Sequence, residues 1–234
     1  MTKDQVVLVI AHRGASAIHP ENTLAAFEGA ATLRADWIEL DVHLTGDGGL
    51  AVHHDDTLAD GRLIVGLTAG EWPASMPSLG DVLAVCEVNG LGVNVEVKSD
   101  PRVAHFDPAY RVVPAVLEAL ASWSGPLLVT SFDRDCLTRV RELAPAVPTG
   151  RLAMDIRDVA KLVDETAAAG HVAINPWDPF VNDDFMAATR AAGLRVYPWT
   201  VDLPDRHREL IALGVDGIIT NQPDVLRSVL DAAR

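Results

Sequence analysis

Val6-Val7-Leu8-Val9-Ile10-Ala11-His12-Arg13-Gly14 is a short β-branched run that ends in an imidazole and a guanidinium. Val6–Ile10 reads as a buried strand, because Val and Ile suit a covered, pleated surface. The residues just after that strand decide the fold. A doubly wound open sheet would carry a glycine-rich phosphate loop directly after its first strand, and Ala11-His12-Arg13-Gly14 is no such loop. Similar runs recur at Trp37–Val42, Leu50–His53, Val93–Val97, Leu127–Thr130, Thr149–Ala153, Val172–Ile174, Val196–Val201 and Gly217–Thr220. Between them lie stretches with helical spacing: Asn22–Leu33, Leu79–Val88, Pro114–Ala121, Asp133–Leu143, Val159–Ala169, Asp183–Ala192, Pro204–Leu213 and a last one from Pro223. Asn22 is expected to cap the first helix, and Gly170 and Gly193 to close theirs. Around eight β-then-α units predict an α/β fold, a closed (β/α)8 TIM barrel, for which about 250 residues is usual. No linker divides the chain, so residues 1–234 are expected to form one barrel domain.

Composition narrows the partners. With 49% hydrophobic residues the 234-residue chain can bury a full core, and 33 acidic against 19 basic residues leave a net charge of −14. A nucleic-acid partner calls for a basic patch, and none is visible. The apolar run Val6–Ala11 is far short of the roughly 20 residues that span a bilayer. The leader Met1-Thr2-Lys3-Asp4 lacks a cationic start and a cleavage site. No stable membrane association is expected. Cys86 and Cys136, without motif spacing, read as buried thiols of a reducing compartment, and the cytoplasm is the expected location.

A barrel presents its chemistry at the C-terminal ends of its strands, so ionisable residues there carry the argument. In Trp37-Ile38-Glu39-Leu40-Asp41-Val42 a spacing of two puts Glu39 and Asp41 on one face, with Ile38, Leu40 and Val42 on the other. Two carboxylates about 4 Å apart repel by about 4 kcal/mol at an effective dielectric near 20. A shared proton, a basic neighbour or a metal must offset that. In Val93-Asn94-Val95-Glu96-Val97-Lys98, Glu96 supplies a third inward acid. Three carboxylates favour a hard divalent cation, Ca²⁺ or Mg²⁺, over zinc; the bland alternative is a salt-bridged group with Lys98 neutralising one acid. His12 and His54 end strands and can serve as acid and base. His43 and His53 are ambiguous, while His19, His105, His171 and His207 read as loop or surface residues. Arg13 and Lys98 bring cations suited to phosphate oxygens, and Trp199 is a candidate wall of the pocket. Cations, carboxylates and histidines together point to a phosphate-ester site.

These residues lie in a recognisable order. His12-Arg13-Gly14, Pro20-Glu21-Asn22-Thr23, Glu39-Leu40-Asp41-Val42-His43-Leu44-Thr45-Gly46-Asp47-Gly48 and His54-Asp55-Asp56-Thr57-Leu58 resemble the glycerophosphodiester phosphodiesterase family. The likeness continues through Glu96-Val97-Lys98, Ser131-Phe132, Trp199-Thr200-Val201 and Gly214-Val215-Asp216-Gly217-Ile218-Ile219-Thr220. The resemblance implies a barrel hydrolase that cleaves a small-molecule glycerophosphodiester to glycerol 3-phosphate and an alcohol. It implies that Glu39, Asp41 and Glu96 hold one divalent cation, and that His12 and His54 are general acid and base. It further implies that Arg13 and Lys98 bind phosphate and that Trp199 lines the glycerol side. Two departures stand out. The insertion usual between the second and third barrel strands is reduced here to residues 56–91, and Asn221 occupies a position where the family commonly has Asp. That change is expected to affect local hydrogen bonding more than the catalytic core.

The nucleophile implied is water or the glycerol 2-hydroxyl, the latter giving a cyclic phosphate first. Alternative readings are a lysophospholipid-acting or cyclic-phosphate-forming barrel of the same type, and a catalytically silent barrel that binds metal and phosphate. Oligomeric state is not written in the chain.

Overall fold

The computed structural model of the chain describes residues 6–232; the Met1–Asp4 leader lies outside the described residues. Eight parallel strands form the barrel. They are β1 (Leu8–His12), β2 (Trp37–Leu44), β4 (Gly92–Val97), β5 (Leu127–Ser131), β6 (Thr149–Ala153), β7 (Ala173–Pro176), β8 (Arg195–Val196) and β9 (Gly217–Thr220), while β3 (Leu50–Val52) stands outside it. In space they run β8-β7-β6-β5-β4-β2-β1-β9. Between the ends of this order, Asp216 N donates to Val196 O at 3.1 Å, Ile219 N to Pro198 O at 2.9 Å and Val201 N to Ile219 O at 3.0 Å, which brings the sheet round into a nearly closed barrel. The helices are α1 (Leu24–Thr32), α2 (Leu79–Asn89), α3 (Val112–Ala119), α4 (Arg134–Leu143), α5 (Val159–Ala168), α6 (Asp183–Ala191), α7 (Pro204–Leu213) and α8 (Pro223–Ala232). They form the outer layer.

Alternation along each strand sorts the residues. Ile38, Leu40 and Val42 face outward into a cluster with Phe27, Leu79, Val93, Val95 and Val97 under α1–α4. A second outer cluster, built around Phe185, Met186, Ile174, Leu210 and Leu226, covers the later strands. Inside the barrel, Ile10, Leu128, Ala173, Tyr197 and Ile219 pack together. Cys86 and Cys136 are free and buried in α2 and α4, as the sequence implied, and burial pushes each thiol up to about 12.

Several sequence expectations change. The Leu50–His53 run is not a barrel strand: β3 folds back antiparallel on β2. It leads into a segment whose Leu58, Ile64, Leu67 and Met76 pack on Ala51. The Val196–Val201 strand shrinks to Arg195–Val196, because Pro198 has no N–H to give the ladder. Thr23, not Asn22, caps α1: its side chain accepts from Ala26 N. His171 and His207 are buried rather than on the surface. Gly170 and Gly193 follow α5 and α6 at φ 75° and 70°, the left-handed geometry expected of helix-closing glycines.

Candidate active site

Strand register builds the site. β1 pairs with β2 so that His12 lies beside Glu39, and β2 pairs with β4 so that Asp41 lies beside Glu96. Just past the end of β4, Lys98 lies on the same face as Glu96. His12, Arg13, Glu39, His54, Glu96 and Lys98 therefore line one pocket at the C-terminal mouth of the barrel, with Phe132, Leu152, Met154, Trp199 and Ile219 opposite. Asp41 sits just beneath, 1% exposed.

The turn after β1 is sharply wound. Arg13 (φ 55°) and Gly14 (φ 83°) are both left-handed, and a Cβ on Gly14 would come within 2.6 Å of the Ala26 backbone. This turn aims the Arg13 backbone N–H at Glu39 Oε2, 3.1 Å away. Its guanidinium Nε comes to 3.3 Å from Asp41 Oδ2, while Nη1 pairs with Glu21 at 3.0 Å. Asn22 (φ 56°) also adopts a left-handed conformation, one that Asn tolerates. Its Nδ2 donates to Asp41 Oδ2 at 2.8 Å. That contact explains why Thr23 takes over the cap.

Glu39, Asp41 and Glu96 are all buried, and ligand atoms of the three lie within 4.8 Å of one another. Lys98 Nζ bridges Asp41 Oδ1 and Glu96 Oε1, each at 2.7 Å. Burial alone would push the Asp41 carboxyl up, but the charges of Lys98 and Arg13 hold it below its ordinary value. Burial, with repulsion from Asp41, pushes Glu96 up to about 7. Burial and repulsion from Asp41 and Glu96 raise Glu39 well above the usual carboxyl range. Three acids thus face Lys98 and an Arg13 shared with Glu21, and among the described residues Glu39 has no Lys or Arg side chain within hydrogen-bond reach; His12 Nε2 is 4.0 Å off. A buried, under-compensated, all-oxygen group of this kind fits a hard divalent cation.

The two histidines differ in their partners. His12 Nδ1 lies 2.7 Å from Asn221 Oδ1. Burial lowers the His12 pKa, and the Arg13 charge lowers it further. His54 lies two residues beyond β3, more exposed, with Nδ1 2.7 Å from the Asp55 carboxylate. His43 settles its own ambiguity: Nε2 bonds the His54 carbonyl at 3.2 Å, and burial brings its pKa down to about 4. A neutral ring with Nε2–H can donate there, steadying the His54 backbone. Trp199 is half-buried; Nε1 donates to Asn175 O at 2.8 Å, and its ring meets Phe132 edge-on with centroids 5.7 Å apart. Ser131 is structural, donating to Val97 O at 2.8 Å.

Sequence reasoning did not assign Asn22, His43 or Asp55 to the site. Their signals were faint: an Asn that tolerates left-handed backbone, and ionisable residues next to those already singled out. Asn221 takes part in local hydrogen bonding, and its partner is the His12 ring.

Against known proteins, residues 12–225 match the model of the glycerophosphoryl diester phosphodiesterase family. A glycerophosphodiester phosphodiesterase of Caldanaerobacter subterraneus subsp. tengcongensis is 33% identical over 240 residues, covering 94% of this chain and 96% of the relative. A Bacillus subtilis glycerophosphodiester phosphodiesterase is 29% identical over 260 residues, covering 95% of this chain and 86% of its own. Among solved structures, an Oleispira antarctica phosphodiesterase in complex with the product sn-glycerol-3-phosphate superimposes with a TM-score of 0.87 at 26% identity. That alignment spans 95% of this chain and 96% of the other. The chain belongs to the glycerophosphoryl diester phosphodiesterase family.

Proposed function

We propose that this family member hydrolyses glycerophosphodiesters to glycerol 3-phosphate and an alcohol, with Glu39, Asp41 and Glu96 holding one Ca²⁺ or Mg²⁺. The observation that carries the reading is the register that sets His12 beside Glu39 and Asp41 beside Glu96 in one pocket with Lys98. When bound, the cation offsets the acids and stabilises negative charge developing on the phosphoryl oxygens.

Arg13 and Lys98, which line the pocket, are the phosphate-binding cations and offset that added charge. His12 is held neutral by burial and Arg13, so its Nε2 accepts the proton of the nucleophile. His54, backed by the Asp55 carboxylate, is the proton donor to the leaving alcohol. Trp199 and Phe132 exclude water from the side where the glycerol carbons rest.

The test is release of glycerol 3-phosphate from glycerophosphocholine. Activity is expected to vanish with chelator and return with Ca²⁺ or Mg²⁺; undiminished turnover in chelator contradicts the reading. A second reading, action on lysophospholipids, is favoured by the exposure of Phe132 (42%) and Met154 (53%) at the mouth. Phosphorus NMR of the products separates the two and reveals any cyclic phosphate.

A further inference from the structure

A neutral imidazole offers only one nitrogen as a proton acceptor, so His12 can use Nε2 only if its own proton sits on Nδ1. Nδ1 lies 2.7 Å from Asn221 Oδ1, with Thr200 Oγ1 more distant at 3.5 Å. The Asn221 amide is itself pinned from behind. Its Nδ2 donates to Asp202 Oδ2 at 2.8 Å, and its backbone N–H donates to Asp202 Oδ1 at 2.8 Å. Thr220 Oγ1 donates to the same Oδ1 at 2.9 Å. An ionised carboxylate only accepts. The amide must therefore turn its NH₂ to Asp202 and its oxygen to His12.

Ser16 lies against the same amide. Its hydroxyl lies 2.8 Å from both the His12 carbonyl and Asn221 Oδ1, two acceptors that share its single proton. An amide oxygen cannot donate, so the hydrogen between Asn221 and His12 belongs to Nδ1. Neither Asp202 nor Asn221 lines the pocket. They follow β8 and β9, on the far side of β1 from the acids.

We propose that Asp202 and Asn221 are positioning residues that fix His12 as the Nδ1–H tautomer and aim Nε2 into the phosphate site. The proposal rests on the proton-accepting role given to His12 above. The relay depends on order: carboxylate, then amide, then ring. Asn221→Asp alone sets two carboxylates against each other where an N–H···O bond of 2.8 Å stood. Adding Asp202→Asn restores the bond with its direction reversed. The amide oxygen then serves Thr220 and the backbone N–H, its NH₂ donates to the new carboxylate, and that carboxylate accepts from His12 Nδ1.

Two measurements test this on the full chain. Nitrogen-15 shifts of the His12 ring, assigned by their loss in His12→Gln, are expected to show a protonated Nδ1 and a bare Nε2 when the ring is neutral. Asn221→Leu is expected to shift the ring toward Nε2–H and lower kcat about 10–100-fold, as loss of a ring-orienting partner commonly does, with KM little changed. Asn221→Asp is expected to lower kcat, and the exchanged pair Asp202→Asn/Asn221→Asp to recover most of it. An Nε2–H ring in the wild type overturns the proposal, as does an exchanged pair no better than Asn221→Asp. The ring spectrum needs no turnover, so an inactive wild type overturns the proposed function while the tautomer result stands alone.

Discussion

Residues up to Lys98 supply every charged or imidazole side chain in the pocket, whereas the wall facing them, Phe132, Leu152, Met154, Trp199 and Ile219, is apolar and comes from the later strands. The outer core divides similarly, one cluster under α1–α4 and another under α5–α8. The two halves obey different physics. The early half gathers three buried carboxylates against their mutual repulsion and holds Arg13 and Asn22 in left-handed backbone, a combination that costs stability. The later half packs as an ordinary apolar surface. The proposed chemistry concentrates where folding is least comfortable. The exception is Asn221, which the later half sends across to the His12 ring.

Breaking the early half has the largest expected effect. Glu39→Gln should lower kcat/KM about 10³-fold or more, since a bound cation contributes several kcal/mol to the transition state. The same change should raise stability in chelator. Glu39 is a group whose folded pKa lies above its unfolded one, so ionisation at neutral pH works against the fold and a neutral amide relieves it. Urea unfolding of the two proteins in chelator checks the sign; a destabilised variant would show that the acids are satisfied by salt links after all.

Next come the histidines. His12→Ala and His54→Ala should each cost about 10²–10⁴ in kcat with metal present. Near-wild-type turnover in both removes the acid-base pair from the account.

The later half should respond in binding instead. Trp199→Ala should raise KM for glycerophosphocholine on the order of tenfold, the factor that about 1–2 kcal/mol of apolar contact represents. A kcat loss as deep as that of the histidines would erase the division between the halves.

The smallest effect lies far from the mouth. His171 is buried on Thr149 Oγ1 at 2.8 Å, and burial, then the charges of Arg141, Arg151 and Arg134, bring it down to about 4 from 6.5. Between those values the unfolded chain binds a proton that the folded chain refuses. Stability should therefore fall as pH drops through that window. His171→Gln should flatten that part of the pH–stability curve, and an unchanged slope in urea unfolding counts against it.

Much of this was legible in the chain. Strand alternation alone put Glu39 with Asp41 and Asn94 with Glu96 and Lys98, because a period of two is a local property. The barrel followed from counting units. What stayed hidden depends on contacts between distant segments. Asn22 looked like a cap because its local chemistry suits one; only the approach of Asp41 diverts it. The partnership of Asn221 with His12 joins residues from opposite ends of the chain. His171 and His207 carried no local mark of burial.

The most direct test is calorimetric titration of the chelator-treated chain with Ca²⁺ and Mg²⁺. One ion should bind per chain, and that binding should be lost in Glu39→Gln, in Asp41→Asn and in Glu96→Gln. No binding to the wild type, or binding that survives all three substitutions, contradicts the claim that this half of the mouth is a metal centre.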